Sequence, residues 1–287
     1  MRGLFTGLFV SVALTSGVFG VPSGYKLINK QSSGLTTYIS NNNNIAVVEA
    51  VTGKSIIDFG VGEEGDINRY GHRTFKRQSI KNHYDLHDNG KLYMALNGQF
   101  FGWSTYTPLS FNVKNNGDLL QDKILEPEKG KRLFGVIRNK LPFIYKGSVN
   151  KENIRQSDRN KVQKTILSLL KSDTVSDGIT GLDPFDYVIR GTSRIGRNMI
   201  GCIPYSKYDL GNIGICKKVY FFIGKKIKHN DLISEMKAWG IKDSYIITLD
   251  GSGSSQAYTR EFQYQNKNFT MPGDGRVFPN SILIYSK

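Results

Sequence analysis

Short apolar runs punctuated by glycine, asparagine and proline recur along the chain, and that spacing predicts strands more often than helices. Ile45 to Val48, Leu92 to Leu96, Val219 to Ile223, Tyr245 to Leu249 and Ser281 to Tyr285 are rich in β-branched and aromatic residues and read as strands. Asn41 to Asn44 and Asn115-Asn116-Gly117 read as turns. Two segments change to the helical period. From Asn160 to Lys171, Val162, Ile166, Leu169 and Leu170 fall on one stripe with lysines opposite. Asn230 is placed to cap a second helix, in which Leu232, Ile233, Met236 and Trp239 share a face and Gly240 gives the stop. No repeat or linker interrupts the pattern. It predicts a single α+β domain with a mixed twisted β-sheet core and a few packed helices.

The first twenty residues depart from this pattern. Arg2 precedes an apolar stretch from Leu4 to Phe19, with Val18 and Gly20 at the small-residue positions a signal peptidase reads, so residues 1–20 are expected to be a signal peptide. A retained anchor is the alternative, weakened by Thr6, Ser11, Thr15 and Ser16, and no later segment reaches transmembrane length. The product is expected to be secreted, periplasmic or lumenal. The chain has 287 residues, a length that one core still fills. Its formal charge of +15 suits acidic partners such as anionic glycans. The basic residues are dispersed and form no arginine tract interleaved with aromatics, so nucleic acid is not an expected partner. Cys202 and Cys216 are the only cysteines, and they flank a segment containing Pro204, Gly211, Asn212 and Gly214. Two strands joined by a loop would bring the sulfurs together, and an oxidising compartment favours a disulfide over two buried thiols. Asn268-Phe269-Thr270 is a glycosylation sequon where the host is eukaryotic.

The candidate chemistry lies in Leu249-Asp250-Gly251-Ser252-Gly253-Ser254-Ser255, directly after a buried strand. Glycines admit a ligand close to the main chain, and successive N–H groups with serine hydroxyls can form an anion cradle beside the Asp250 carboxylate. An ordinary glycine-serine turn is the alternative. Leu96-Asn97-Gly98-Gln99-Phe100-Phe101-Gly102 repeats the arrangement of a polar residue at a strand end. Gly196-Arg197-Asn198-Met199-Ile200-Gly201 and Gly273-Asp274-Gly275-Arg276-Val277-Phe278-Pro279-Asn280 each offer an arginine beside an apolar run. His83 and His87 are spaced for one helix face, and without further ligands they read as solvent-exposed residues.

In order and spacing, Asn97 to Phe101, Arg197 to Gly201, Leu249 to Ser255 and Arg276 to Asn280 resemble the four motifs of the phosphodiester glycosidase family, the domain type of the lysosomal uncovering enzyme and of exopolysaccharide-biosynthesis-type proteins. The resemblance covers residues 91–287, the expected core; residues 21–90 form a weakly matched N-terminal part. It implies hydrolysis of a sugar-1-phosphodiester at the anomeric bond, with Asp250 as base or nucleophile and Arg197 on the phosphate. Asn97 and Arg276 would orient substrate, and Gly98, Gly251, Ser252, Gly253, Ser254 and Ser255 would bind it. The implied partner is a sugar phosphate or anionic glycan. No cofactor is required, although a calcium ion is compatible with Asp250 and the loop oxygens. Gln99, Asn198 and Ser252 stand where the family has glycine, threonine and glycine, and Thr248 where it often has asparagine. These changes leave open a non-catalytic binder of sugar phosphates, and P–O cleavage is a further alternative.

Overall fold

Strand pairing carries the architecture. The computed structural model describes residues 20–123, 128–138, 140–147, 155–186, 192–271 and 273–287. All of the expected signal peptide except Gly20 therefore lies outside the described residues. Two long strands, Ile195–Leu210 and Ile213–Ile227, form a hairpin at the centre of an eleven-stranded sheet. The second strand pairs with Leu141–Tyr145, which pairs with Lys131–Ile137, which in turn pairs with Val175–Leu182. Ile246–Thr248 bridges from Val175–Leu182 back to Ile195–Leu210, so the pairing closes into a ring of six strands. Closure satisfies backbone groups that an open sheet would leave at its edges.

Tyr25–Lys30, Leu35–Ser40 and Ile45–Val51 extend this sheet from residues 218–224 of Ile213–Ile227, beyond the part paired with Leu141–Tyr145. A second sheet contains Ser55–Val61, Asn280–Ser286, Leu92–Asn97, Ala257–Tyr264 and Lys267–Met271. Residues 25–61 thus supply strands to both sheets. The ladders among the described residues are antiparallel, where the sequence pattern suggested a mixed sheet. Parallel pairing needs crossovers, whereas several neighbours here, such as Ile195–Leu210 with Ile213–Ile227 and Lys131–Ile137 with Leu141–Tyr145, are joined by short turns. The protein is correspondingly more strand-rich than the expectation.

Three α-helices among the described residues cover separate patches of sheet. Helix α1 spans Ile80–His87 and packs Ile80 and Tyr84 against Leu92, Tyr258 and Leu283. The sequence reading missed it, and its own residues explain why. It is short, its one apolar stripe is interrupted, and Leu86 is exposed. Helix α2, Gln156–Lys171, buries Val162, Ile166 and Leu170 as expected, against Leu133, Phe143 and Val175. Helix α3, His229–Ala238, begins one residue before Asn230. Lys228 occupies the cap position without a side-chain bond, so Asn230 does not cap it. Leu232, Ile233, Met236 and Trp239 do share the buried face, and Gly240 stops the helix with φ +80°. No helix among the described residues is long and apolar enough to cross a membrane.

Cys202 and Cys216 form a disulfide across the long hairpin, with Cα atoms 5.5 Å apart. Both are buried within the main core. Closing so short a loop restricts the unfolded chain by about 3 kcal/mol in the chain-entropy treatment. Replacing both cysteines by alanine is expected to lower unfolding stability by about 2–4 kcal/mol, read as a reduced denaturant midpoint with a steeper slope, because the unlinked unfolded chain exposes more surface.

Candidate active site

Asp250 is fixed by its backbone from two directions. Upstream, buried Arg132 donates from Nη1 to the carbonyls of Asp243 and Ile246, at 2.6 and 2.7 Å, and pairs with Asp183 at 3.0 Å. These contacts anchor the start of the strand Ile246–Thr248. Downstream, the Asp250 main-chain carbonyl accepts from Asn198 Nδ2 at 2.9 Å and Asn97 Nδ2 at 3.2 Å. Asn97 Oδ1 also accepts from Asn198 Nδ2 and, at 3.1 Å, from the Gln256 N–H. Asn97 ends a strand of the smaller sheet and Asn198 lies in the larger one, so this amide network ties both sheets to Asp250.

The loop after Asp250 is compact because its neighbours leave no room for side chains. A Cβ at Gly253 would overlap the Asp274 carboxylate, and one at Gly196 would overlap the Ser252 carbonyl. A Cβ at Gly98 would strike the Asn280 carboxamide, whose oxygen accepts the Gln99 N–H at 2.7 Å. Ser252 adopts φ +60°, the left-handed conformation that favours glycine.

A pocket of about 390 Å³ opens above this loop. Asp250, Gly251 and Ser252 form one wall, Leu182, Ile195, Thr248 and Leu249 line the apolar part, and Lys129, Arg197 and Arg276 bring three cations to it. Phe100, Phe101 and Trp103 contribute an aromatic wall. Arg197 is buried, with Nη2 3.4 Å from the Ser193 carbonyl. The guanidinium of Arg276 stacks 4.8 Å above the Trp103 ring and lies 3.5 Å from Asp274.

Burial pushes the Asp250 carboxyl up to about 7, although part of the residue faces the pocket. Three effects oppose the shift without cancelling it: the Ser254 hydroxyl, near but outside hydrogen-bonding geometry, the Gly251 N–H at 2.9 Å, and the charge of Arg276. The charge that acts on the Asp250 carboxyl is thus that of Arg276.

Several sequence-predicted positions have other places in the structure. Asn97 is buried and does not line the pocket; its carboxamide is committed to the network below Asp250. Gly98 is buried and does not line the pocket either. Ser254 and Ser255 are fully buried below the loop, and Gly253 packs against Asp274, so none of these three forms a pocket wall. The expected amide cradle is partly used internally, because the Gly251 N–H bonds Asp250 and the Ser254 N–H bonds the Gly251 carbonyl at 3.2 Å. Gln99 turns away and clamps the Phe111 main chain through both ends of its amide, at 3.1 and 2.9 Å.

His83, read from sequence as exposed, is buried. Nε2 lies 2.8 Å from the Phe278 carbonyl and Nδ1 3.3 Å from Ser281 Oγ, and burial pushes its pKa down to about 4. His87 is partly buried against the Val61 carbonyl. Among the described residues no group of three or more His, Cys, Asp or Glu side chains is placed to hold a metal ion. Lys129, Arg132, Phe100 and Trp103 were not assigned a role from sequence. The one available signal was the position of the aromatic pair and Trp103 directly after the Asn97 motif.

The chain matches no protein-family model, and no curated protein matches it in sequence. Its fold is similar to that of the zebrafish N-acetylglucosamine-1-phosphodiester alpha-N-acetylglucosaminidase catalytic domain, auto-inhibited by its pro-peptide. The TM-score is 0.52 over 92% of this chain and 82% of that one, at 13% identity. The likeness shows a shared fold.

A carboxyl with a raised pKa holds its proton more tightly in the folded protein than in the unfolded chain. Its unfavourable contribution therefore grows as pH rises from about 4 toward 7 and is full above that. Asp250→Asn is expected to stabilise the protein at pH 8 by on the order of 2 kcal/mol and to lose that gain near pH 4, measured by denaturant unfolding at both values. Gly253→Ala forces a methyl group onto Asp274 and is expected to cost about 1–3 kcal/mol at either pH.

Proposed function

We propose that this protein is an exported hydrolase that cleaves a sugar-1-phosphodiester at the anomeric bond, releasing the sugar and a phosphomonoester. One observation carries the reading: a carboxyl titrating near neutrality sits in the wall of a pocket that holds three cations. A carboxylate of this pKa is matched to proton transfer at physiological pH. The cations complement a phosphate, which leaves as an already stabilised anion and needs little protonation. The fold similarity and the order of the four motifs support the same reading. The Cys202–Cys216 disulfide and the apolar leader sequence support export.

Asp250 is the one carboxyl among the described residues lining the pocket, which favours the role of general base over that of nucleophile. A nucleophile would form a glycosyl ester and then require a second group to activate water. In the proposed step Asp250 takes a proton from water and the water oxygen bonds the anomeric carbon. The bond from that carbon to the phosphate oxygen breaks, with its electron pair leaving on phosphate. Arg197 and Arg276 hold the phosphate through charge-assisted hydrogen bonds, and Lys129 adds positive charge. Asn97 and Asn198 act through the Asp250 main chain as positioning residues.

Purified protein incubated with alpha-linked sugar-1-phosphodiesters is expected to release reducing sugar with inverted anomeric configuration, visible by proton NMR. Asp250→Ala is expected to lower the rate by about 10³-fold. In the wild type kcat/KM is expected to fall about tenfold per pH unit below 7, because protonation removes the base. Tight binding without turnover would instead identify a binder, and solvent oxygen appearing in the phosphate would identify P–O cleavage.

A further inference from the structure

We infer that the cavity beside the hairpin of Ala257–Tyr264 and Lys267–Met271 is a second binding site, and that its ligand is an acidic glycan, a chain of sugar rings bearing carboxylate or phosphate groups. This cavity measures about 610 Å³, against about 390 Å³ for the pocket at Asp250, and the two share no lining residue. The inference therefore stands whether or not the first pocket turns over a substrate.

The chain builds the cavity from parts of both sheets. Gln265 and Asn266 hold φ +54° and +60°, a tight turn with both central residues left-handed, and so pair Tyr264 with Lys267. The residues from Thr259 to Phe262 stand opposite Phe269 alone, a bulge that bends the hairpin. Phe262 and Phe269, with ring centroids 5.3 Å apart, pin the bent strands to the core. The hairpin tip meets the larger sheet where Tyr264 Oη donates to Asn43 Oδ1 at 2.9 Å. Lys225, near the end of Ile213–Ile227, is fixed by its N–H on the Asn44 carbonyl at 2.7 Å.

The lining chemistry selects the ligand. Lys225 and Lys267 are exposed, no carboxylate lines the cavity, and neither lysine has an ion-pair partner among the described residues. Lys76, Lys81, Lys218 and Lys237, by contrast, each pair with a carboxylate. Two uncompensated cations at one cavity create a positive potential that an anionic ligand relieves. Asn43, Gln265, Asn268 and Thr270 add amides and a hydroxyl that both give and accept hydrogen bonds, and Tyr264 adds a ring face. A sugar ring offers hydroxyls to the former and its C–H face to the latter. An acidic peptide would anchor through apolar side chains, and the aliphatic lining residues, Ile39 and Met271, are each 3% exposed and leave no open notch for them.

The test uses protein exported to a bacterial periplasm, where the disulfide forms and Asn268 carries no glycan. Oligogalacturonate, a phosphorylated malto-oligosaccharide, its neutral counterpart and oligoglutamate are compared by calorimetry, and lysine acetylation read by mass spectrometry locates the site. At least one acidic oligosaccharide is expected to bind about tenfold more tightly than the neutral one, and more weakly as salt is raised. It should shield Lys225 and Lys267 from acetylation but not Lys161 and Lys164, which are exposed on helix α2. Lys225→Gln combined with Lys267→Gln should lower the affinity about tenfold, whereas Lys161→Gln with Lys164→Gln removes the same charge and should leave it unchanged. Unaltered thermal midpoints check that both variants are folded. Shielding confined to Lys129 would put the glycan in the first pocket and overturn the second site. Equal binding of the neutral sugar, tighter binding of oligoglutamate, or no shielding by any probe also overturns it.

Discussion

One backbone carbonyl, that of Asp250, is the point on which both sheets converge. It accepts a carboxamide hydrogen from Asn97 on the smaller sheet and another from Asn198 on the larger. The network is almost dry, so its polar groups interact strongly, and loss of one member would leave buried donors and acceptors unpaired. Using the main chain for anchorage leaves the Asp250 side chain available to the pocket. Arg132 completes the restraint by fixing the beginning of the same strand through two further carbonyls. The carboxyl is thus positioned by groups that do not line the pocket.

That arrangement imposes an energetic conflict within the site. Surrounding Asp250 with protein disfavours its charge, and the nearby Gly251 N–H and Arg276 compensate only in part. Buried groups held at an unfavourable ionisation state are a common property of reactive sites, because the same desolvation that destabilises them tunes their proton affinity. The three cations differ in setting as well. Arg197 is enclosed at the wall, whereas Arg276 reaches toward solvent and shares its charge between Asp274, Trp103 and Asp250.

Much of this was legible in the sequence where local chemistry decides the outcome. The apolar runs at Leu92, Val219, Tyr245 and Ser281 became strands because each buries a continuous face. The two cysteines met because the residues between them form a hairpin. The turn at Asp250 reached a pocket, and Arg197 and Arg276 reached it too. The closure of six strands was not legible, because it depends on Ile246–Thr248 touching Val175–Leu182 across a long sequence separation. Nor could the sequence separate residues that line the pocket from those that hold it. Asn97, Gly98 and Gln99 occupy the first motif, yet all three serve packing and hydrogen bonding below the site. Trp103 drew no attention because isolated aromatics usually pack inward, and only the clamped loop turns this one out.

Gly98, Gly196 and Gly253 each face a neighbour that occupies the space a methyl group would need. Selection for a folded chain alone would therefore retain these glycines, whether or not the pocket turns over a substrate. A chain that only bound a ligand in this pocket would carry the same glycines, kept as a requirement of assembly. The chemistry of the pocket is set instead at positions under no such steric demand for glycine: Ser252, which holds a glycine-like conformation with a side chain attached, and the pocket walls.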